Sequence, residues 1–148
     1  MPKLEYFLVS ESISVDLITN RISFFHVIEE LRSPHVPFHI AKLVATATWI
    51  LSEEDIGHEI ETSVRITVPG VAEPINFPQR FVAERRRHRI NWGIVGLAVQ
   101  GFGELVFDVL LNDQHQASHS VTITQMDPIV GLAGPRPPAP VVESQDRA

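Results

Sequence analysis

Five arginines within ten positions, Arg80, Arg85, Arg86, Arg87 and Arg89, form the densest chemistry-bearing group in the chain. A guanidinium presents a planar fork of donors that can grip a phosphate or carboxylate through two parallel hydrogen bonds. Arg85, Arg86, Arg87 and Arg89 are therefore a candidate anion-binding set. A solvated loop between strands, with its charge met by some of the 18 carboxylates, is the plainer expectation. Nucleic acid is not an expected partner. The formal net charge is −6, and Phe81 and Trp92 beside the cluster sit at positions expected to be buried, so no stacking platform is visible.

Histidines are the next candidates. His35 and His39 are four residues apart, as are His115 and His119. On a helix that spacing puts two rings on one face, as a zinc helix requires. On a strand it separates them by roughly 13 Å, and neither pair has a carboxylate or cysteine to complete a ligand set. No metal or other cofactor is expected. Glu53–Glu54–Asp55 lacks the alternating oxygen ligands of a calcium loop and reads as a solvated turn. No serine sits in a G-x-S-x-G elbow, Gly101-x-Gly103 is followed by no helix, and no catalytic residue is assigned. Trp49 and Trp92 could stack on a small ligand or carbohydrate, with core packing as the plainer expectation.

These residues need elements to position them, and the hydrophobic pattern supplies strands. The 148 residues are 44% hydrophobic, enough for one core, and contain no cysteine to form disulfides. No signal-peptide pattern opens the chain. The most apolar run, Leu43 to Leu51, is too short to span a bilayer. A soluble, cytoplasmic protein without a membrane partner is expected.

The strongest alternation lies in Gly103 to Thr124. Leu105, Phe107, Val109 and Leu111 form one apolar face, Asn112 to His115 supply a turn, and Val121 and Ile123 alternate with Ser120, Thr122 and Thr124. That is a hairpin, its first strand central and its second nearer an edge. Val106 and Leu110 on the other face ask for further cover.

Upstream, Leu4 to Val9 and Ile13 to Leu17 make one bent strand or two short ones, followed by a turn at Asn20–Arg21. The segment Ile22 to Leu31 fits strand or helix, and a strand through about Ile28 is expected. Pro34 and Pro37 end it. A long strand from Phe38 to about Leu51 slips phase near Leu43. Ile60 to Val68 is a half-exposed strand stopped by Pro69–Gly70, and Ile75 to Val82 is an edge strand interrupted by Pro78. Ile90 to Val99 changes phase between Gly93 and Gly96, where a bulge is expected. Residues 128–148 hold four prolines after Gly134 and read as a flexible or extended tail.

About eight strands without helical crossovers imply an all-β antiparallel sandwich over residues 1–127, Ig-like or jelly-roll-like. The order of motifs points the same way. It runs Asn20-x-Ile22-x-Phe24-x-x-Val27, Pro34 and Pro37, Gly57–His58, Pro69–Gly70, then Gly103-x-x-x-Phe107-x-Val109. This resembles a family of small, functionally uncharacterised bacterial β-sandwich proteins, over about residues 4 to 125. The resemblance implies the fold and carries no catalytic residues. The expected function is a non-enzymatic protein-interaction or structural module, self-associating through an exposed sheet edge or face. A small-ligand or carbohydrate binder is the alternative, and an enzyme with a spatially assembled site comes third.

Overall fold

The computed structural model describes residues 1–127, so the Pro-rich segment 128–148 lies outside the described residues. Nine strands and no helix occur among the described residues. They are β1 (Lys3–Val15), β2 (Ile22–Val27), β3 (Glu30–Ser33), β4 (Phe38–Ile50), β5 (Glu59–Thr67), β6 (Ile75–Val82), β7 (Arg87–Val99), β8 (Gly103–Leu111) and β9 (Gln114–Gln125). They form a four-stranded sheet, β2-β1-β4-β7, and a five-stranded sheet, β3-β9-β8-β5-β6. One apolar cluster joins the two. It takes Val9, Leu43, Ala45, Ala47, Trp49, Trp92 and Ile94 from the first sheet, and Ile60, Val64, Ile66, Leu105, Phe107, Val109, Leu111, Val121 and Ile123 from the second. The odd face of β8 is thus the core face, as its alternation implies, and β8 is central between β9 and β5.

Two features correct the expectation of about eight strands, all antiparallel. β3 is a ninth strand, and it pairs parallel with β9, Leu31 opposite Ile123. Only Ile28 and Glu29 separate β2 from β3, so the chain changes sheets without room to reverse direction. The crossing is pinned from β9. His119 Nε2 donates to the Ile28 carbonyl at 2.6 Å, and the Thr122 amide donates to that of Glu29 at 3.0 Å.

Ile22 to Val27 is strand, close to the expected limit at Ile28, Glu30 to Ser33 forms a separate strand, and Ile13 to Val15 continues β1 after a bend. Phe24 pairs with Ile13, yet its ring meets that of Tyr6 edge-on at 6.0 Å. Straight strand from Tyr6 to Ile13 would span about 23 Å. The β1–β2 arm must therefore double back at Ser10–Ser12 across the outer face of its own sheet. His26, at φ 57°, marks the bend on β2, and its Nδ1 donates to Glu11 at 2.7 Å. The arm explains why Val44, Thr46 and Thr48 are buried although they alternate with the core residues of β4.

β4 and β7 slip phase opposite each other, between Ile40 and Leu43 on one and between Leu97 and Ile94 on the other. Because both slip together, the register is kept and the bulge expected between Gly93 and Gly96 does not form. Gly96 takes φ +70° at the slip, a conformation that Gly alone adopts at no steric cost. Pro78 lies on β6, an outermost strand, where a missing donor is tolerated.

Candidate arginine cleft

The arginines sit on a loop that cannot drift. Between β6 and β7 the chain is tied to the β4–β5 loop by the Gly57 amide to the Ala83 carbonyl at 2.8 Å, the Ala83 amide to the His58 carbonyl at 3.0 Å, and the Leu51 amide to the Arg86 carbonyl at 2.6 Å. With the backbone committed inward, Arg85 and Arg86 project outward. Arg87 and Arg89 follow on β7 and share its outward face. The folded-back arm then delivers Asn20, Arg21 and Ile22 to the same place.

The result is an open cleft of about 710 Å³ lined by Glu5, Tyr6, Asn20, Arg21, Ile22, Thr48, Arg85, Arg86, Arg87 and Arg89. A smaller one of about 400 Å³ shares Asn20, Arg85, Arg87 and Arg89 and adds Glu84, His88 and Asn91. Five arginines face two glutamates across the pair.

The five are not equivalent. Arg87 is clamped to Glu5 by two parallel bonds, Nε to Oε1 and Nη2 to Oε2, both 2.8 Å. That contact holds the Glu5 carboxyl below its ordinary range and raises the guanidinium above its own, so Arg87 forms a neutralised wall. Arg89 Nη2 donates to the backbone and side-chain oxygens of Asn20, each at 3.0 Å. Those acceptors are neutral, so its charge is unmet. Among the described residues, the Arg21, Arg85 and Arg86 side chains make no hydrogen bond and no ion pair. Beneath them Thr48 is 2% exposed and its hydroxyl is unpaired. A buried hydroxyl without a partner is uncommon, because desolvation costs free energy that only a hydrogen bond returns. His88 at the rim stacks on Phe81, centroids 3.9 Å apart and planes within 5°. Burial pushes its pKa down, opposed by Glu84.

Arg80 departs from the run. It lies on β6, 3.9 Å from Glu61 of β5, away from the cleft. Arg21 was absent from the expected set because nothing local links it to Arg85; only the fold-back does. Trp49 and Trp92 are 0% and 7% exposed and belong to the core. Rings so placed offer no face to a ligand in the cleft.

Three of the remaining candidates, His119, His115 and Asp55, are committed elsewhere. His119 holds the sheet crossing. His115 Nε2 lies 2.8 Å from Ser118 Oγ and 3.1 Å from Asp108 Oδ1, and Ser118 hydrogen-bonds the same carboxylate. This trio on the β8–β9 hairpin is not a nucleophilic triad. The carboxylate meets the ring nitrogen that faces the serine instead of the opposite one, and the serine proton is directed to the carboxylate. Asp55 closes its own turn, accepting from the Ser52 amide and hydroxyl at 2.8 Å each. The amide bond is the chief cause holding its pKa low. No group of three or more His, Asp or Glu among the described residues is placed to hold a metal ion. No helix among them is long and apolar enough to cross a membrane.

No protein-family model matches this chain, and no curated protein matches it.

Proposed function

We propose that this chain is a non-catalytic binding module that grips an anionic group, a phosphate or carboxylate, in the arginine cleft. One observation carries this. Arg21, Arg85, Arg86 and Arg89 converge without a carboxylate partner among the described residues, over the unpaired Thr48 hydroxyl. Guanidiniums gathered on one face repel each other, and an anion relieves that cost while taking bidentate bonds. The non-catalytic half is supported by the Ser118 trio, whose proton order is wrong for nucleophile activation. The resemblance to uncharacterised bacterial sandwich proteins, an Ig-like or jelly-roll-like connectivity and a cytoplasmic location belong to the same proposal.

Heparin chromatography tests the cleft. The protein is expected to be retained despite its net acidity. Arg21→Ala/Arg85→Ala/Arg86→Ala should elute much earlier, and Arg80→Ala should not move. Loss of each contact is worth about tenfold in affinity. Coincident elution of the triple variant and the parent would end the proposal.

Self-association is a second reading with its own observation. β7 is an edge strand, uncharged from Ile90 to Val99, and Val95 is 78% exposed. The β6 edge, by contrast, carries Pro78 and Arg80, both deterrents to strand addition. Light scattering should find a dimer that Val95→Lys dissociates. A monomer at high concentration would rule this out.

A further inference from the structure

Leu17 and Ile18 stand at the tip of the β1–β2 arm, 99% and 94% exposed. Single exposed aliphatics are ordinary, but two adjacent ones with no cover at all need a reason. The tip is also built. Asp16 Oδ1 accepts the amides of Ile18 and Thr19 at 2.8 Å each, and the Asp16 amide donates to the Arg21 carbonyl at 2.9 Å. Both amide bonds hold the Asp16 carboxyl below its ordinary range, so the turn is braced at neutral pH. Chain ordered this way holds its two apolar side chains out in water, against the usual choice of polar residues at a turn.

At the foot of the tip lie Arg21, Arg85, Arg86 and Arg89, the guanidiniums without a carboxylate partner among the described residues. We propose that this end of the sandwich docks on an anionic phospholipid surface. Leu17 and Ile18 enter between the headgroups, and the arginines bind lipid phosphate and carboxylate. The proposal rests on the anion-binding cleft and names the source of the anion.

A lipid surface fits better than a protein pocket. A two-residue convex tip covers far less than the roughly 800 Å² per partner of a stable protein interface. A bilayer needs no matching pocket, accepts shallow aliphatic insertion, and attracts arginines through its surface potential. Shallow aliphatic insertion and attraction of the arginines to anionic lipid act at the same end of the molecule, so their contributions to binding add. The whole chain carries a net charge of −6 with the arginines included. The surface away from the arginine end is therefore more negative still, and its repulsion turns that end toward the membrane. The proposal departs from the sequence-based expectation of no membrane partner, which rested on the lack of a spanning segment; surface docking needs none.

Co-sedimentation with vesicles of phosphatidylcholine, and of equimolar phosphatidylcholine and phosphatidylserine, tests this. The protein should pellet with the mixed vesicles only. Leu17→Ser/Ile18→Ser should lose about tenfold or more in partitioning while its heparin retention and melting temperature stay unchanged. Arg21→Ala/Arg85→Ala/Arg86→Ala should lose both kinds of binding. Heparin retention without vesicle binding overturns the lipid proposal and leaves the cleft standing; failure of both overturns both. Undiminished vesicle binding by the tip variant also overturns it.

Discussion

Phe107→Ala is expected to destabilise the fold by about 3–5 kcal/mol, measured as a lower urea midpoint at unchanged m-value. Phe107 is completely buried on β8, the middle strand of the five-stranded sheet, in the cluster that joins both layers. Truncation removes the transfer free energy of the ring and leaves a hole that β8 cannot close, because it is paired on both sides. A domain of this length has roughly 5–15 kcal/mol in hand, so the variant would fold with little margin. The melting temperature should fall by about 10–20 °C. The arginine cleft lies on the outer face of the opposite sheet, so the folded fraction should keep its heparin retention. A loss under about 1 kcal/mol would mean that Phe107 is not at the centre of the core.

The face of each strand was legible because side-chain alternation is a local property. Leu105, Phe107, Val109 and Leu111 declare their side of β8 without reference to any neighbour. The phase slips were legible for the same reason. Leu43 and Gly96 break the period of two, and in the fold the breaks lie opposite one another, which is how register survives on both sides. Pro78 announced an edge because it lacks a donor. Strand neighbours are a different matter. Nothing in Glu30 to Ser33 specifies parallel pairing with β9, since pairing depends on where the chain arrives after Ile28–Glu29. The arm of β1 and β2 was half legible. The polar Ser10–Glu11–Ser12 marked a bend, but the direction of the fold-back lies in contacts between remote residues, Tyr6 with Phe24 and Arg89 with Asn20.

The cleft divides along the same line. Arg85, Arg86, Arg87 and Arg89 are neighbours in sequence and in space because a tied loop and one strand hold them. Sequence proximity misleads for Arg80, which the β5–β6 pairing takes elsewhere, and it is silent about Arg21. Whether a guanidinium is free or spent also depends on partners across the fold. Glu5 neutralises Arg87 from β1, while Arg85 and Arg86, the two residues before it, stay open. A run of arginines therefore locates a surface, and the tertiary fold decides which of them can take a ligand.

Gly70→Ala should cost about 2–4 kcal/mol, well above an ordinary surface substitution. Pro69–Gly70 ends the strand that runs from β5, and Gly70 takes φ +84°. An L-residue pays roughly 1–2 kcal/mol for that conformation. The remainder comes from the turn between β7 and β8. A Cβ on Gly70 would lie 2.8 Å from the Gln100 carbonyl carbon and 2.9 Å from its Cβ. A backbone carbon cannot swing aside as a side-chain end can, so the two turns must part. Gly57→Ala separates the contributions, because Gly57 has φ +88° but a Cβ there meets nothing within 4 Å. It should show the conformational cost alone. Urea denaturation of both variants gives the difference directly. Equal destabilisation would mean that the turns at Gly70 and Gln100 do not nest in solution, and with them the closure of this end of the sandwich would have to be redrawn.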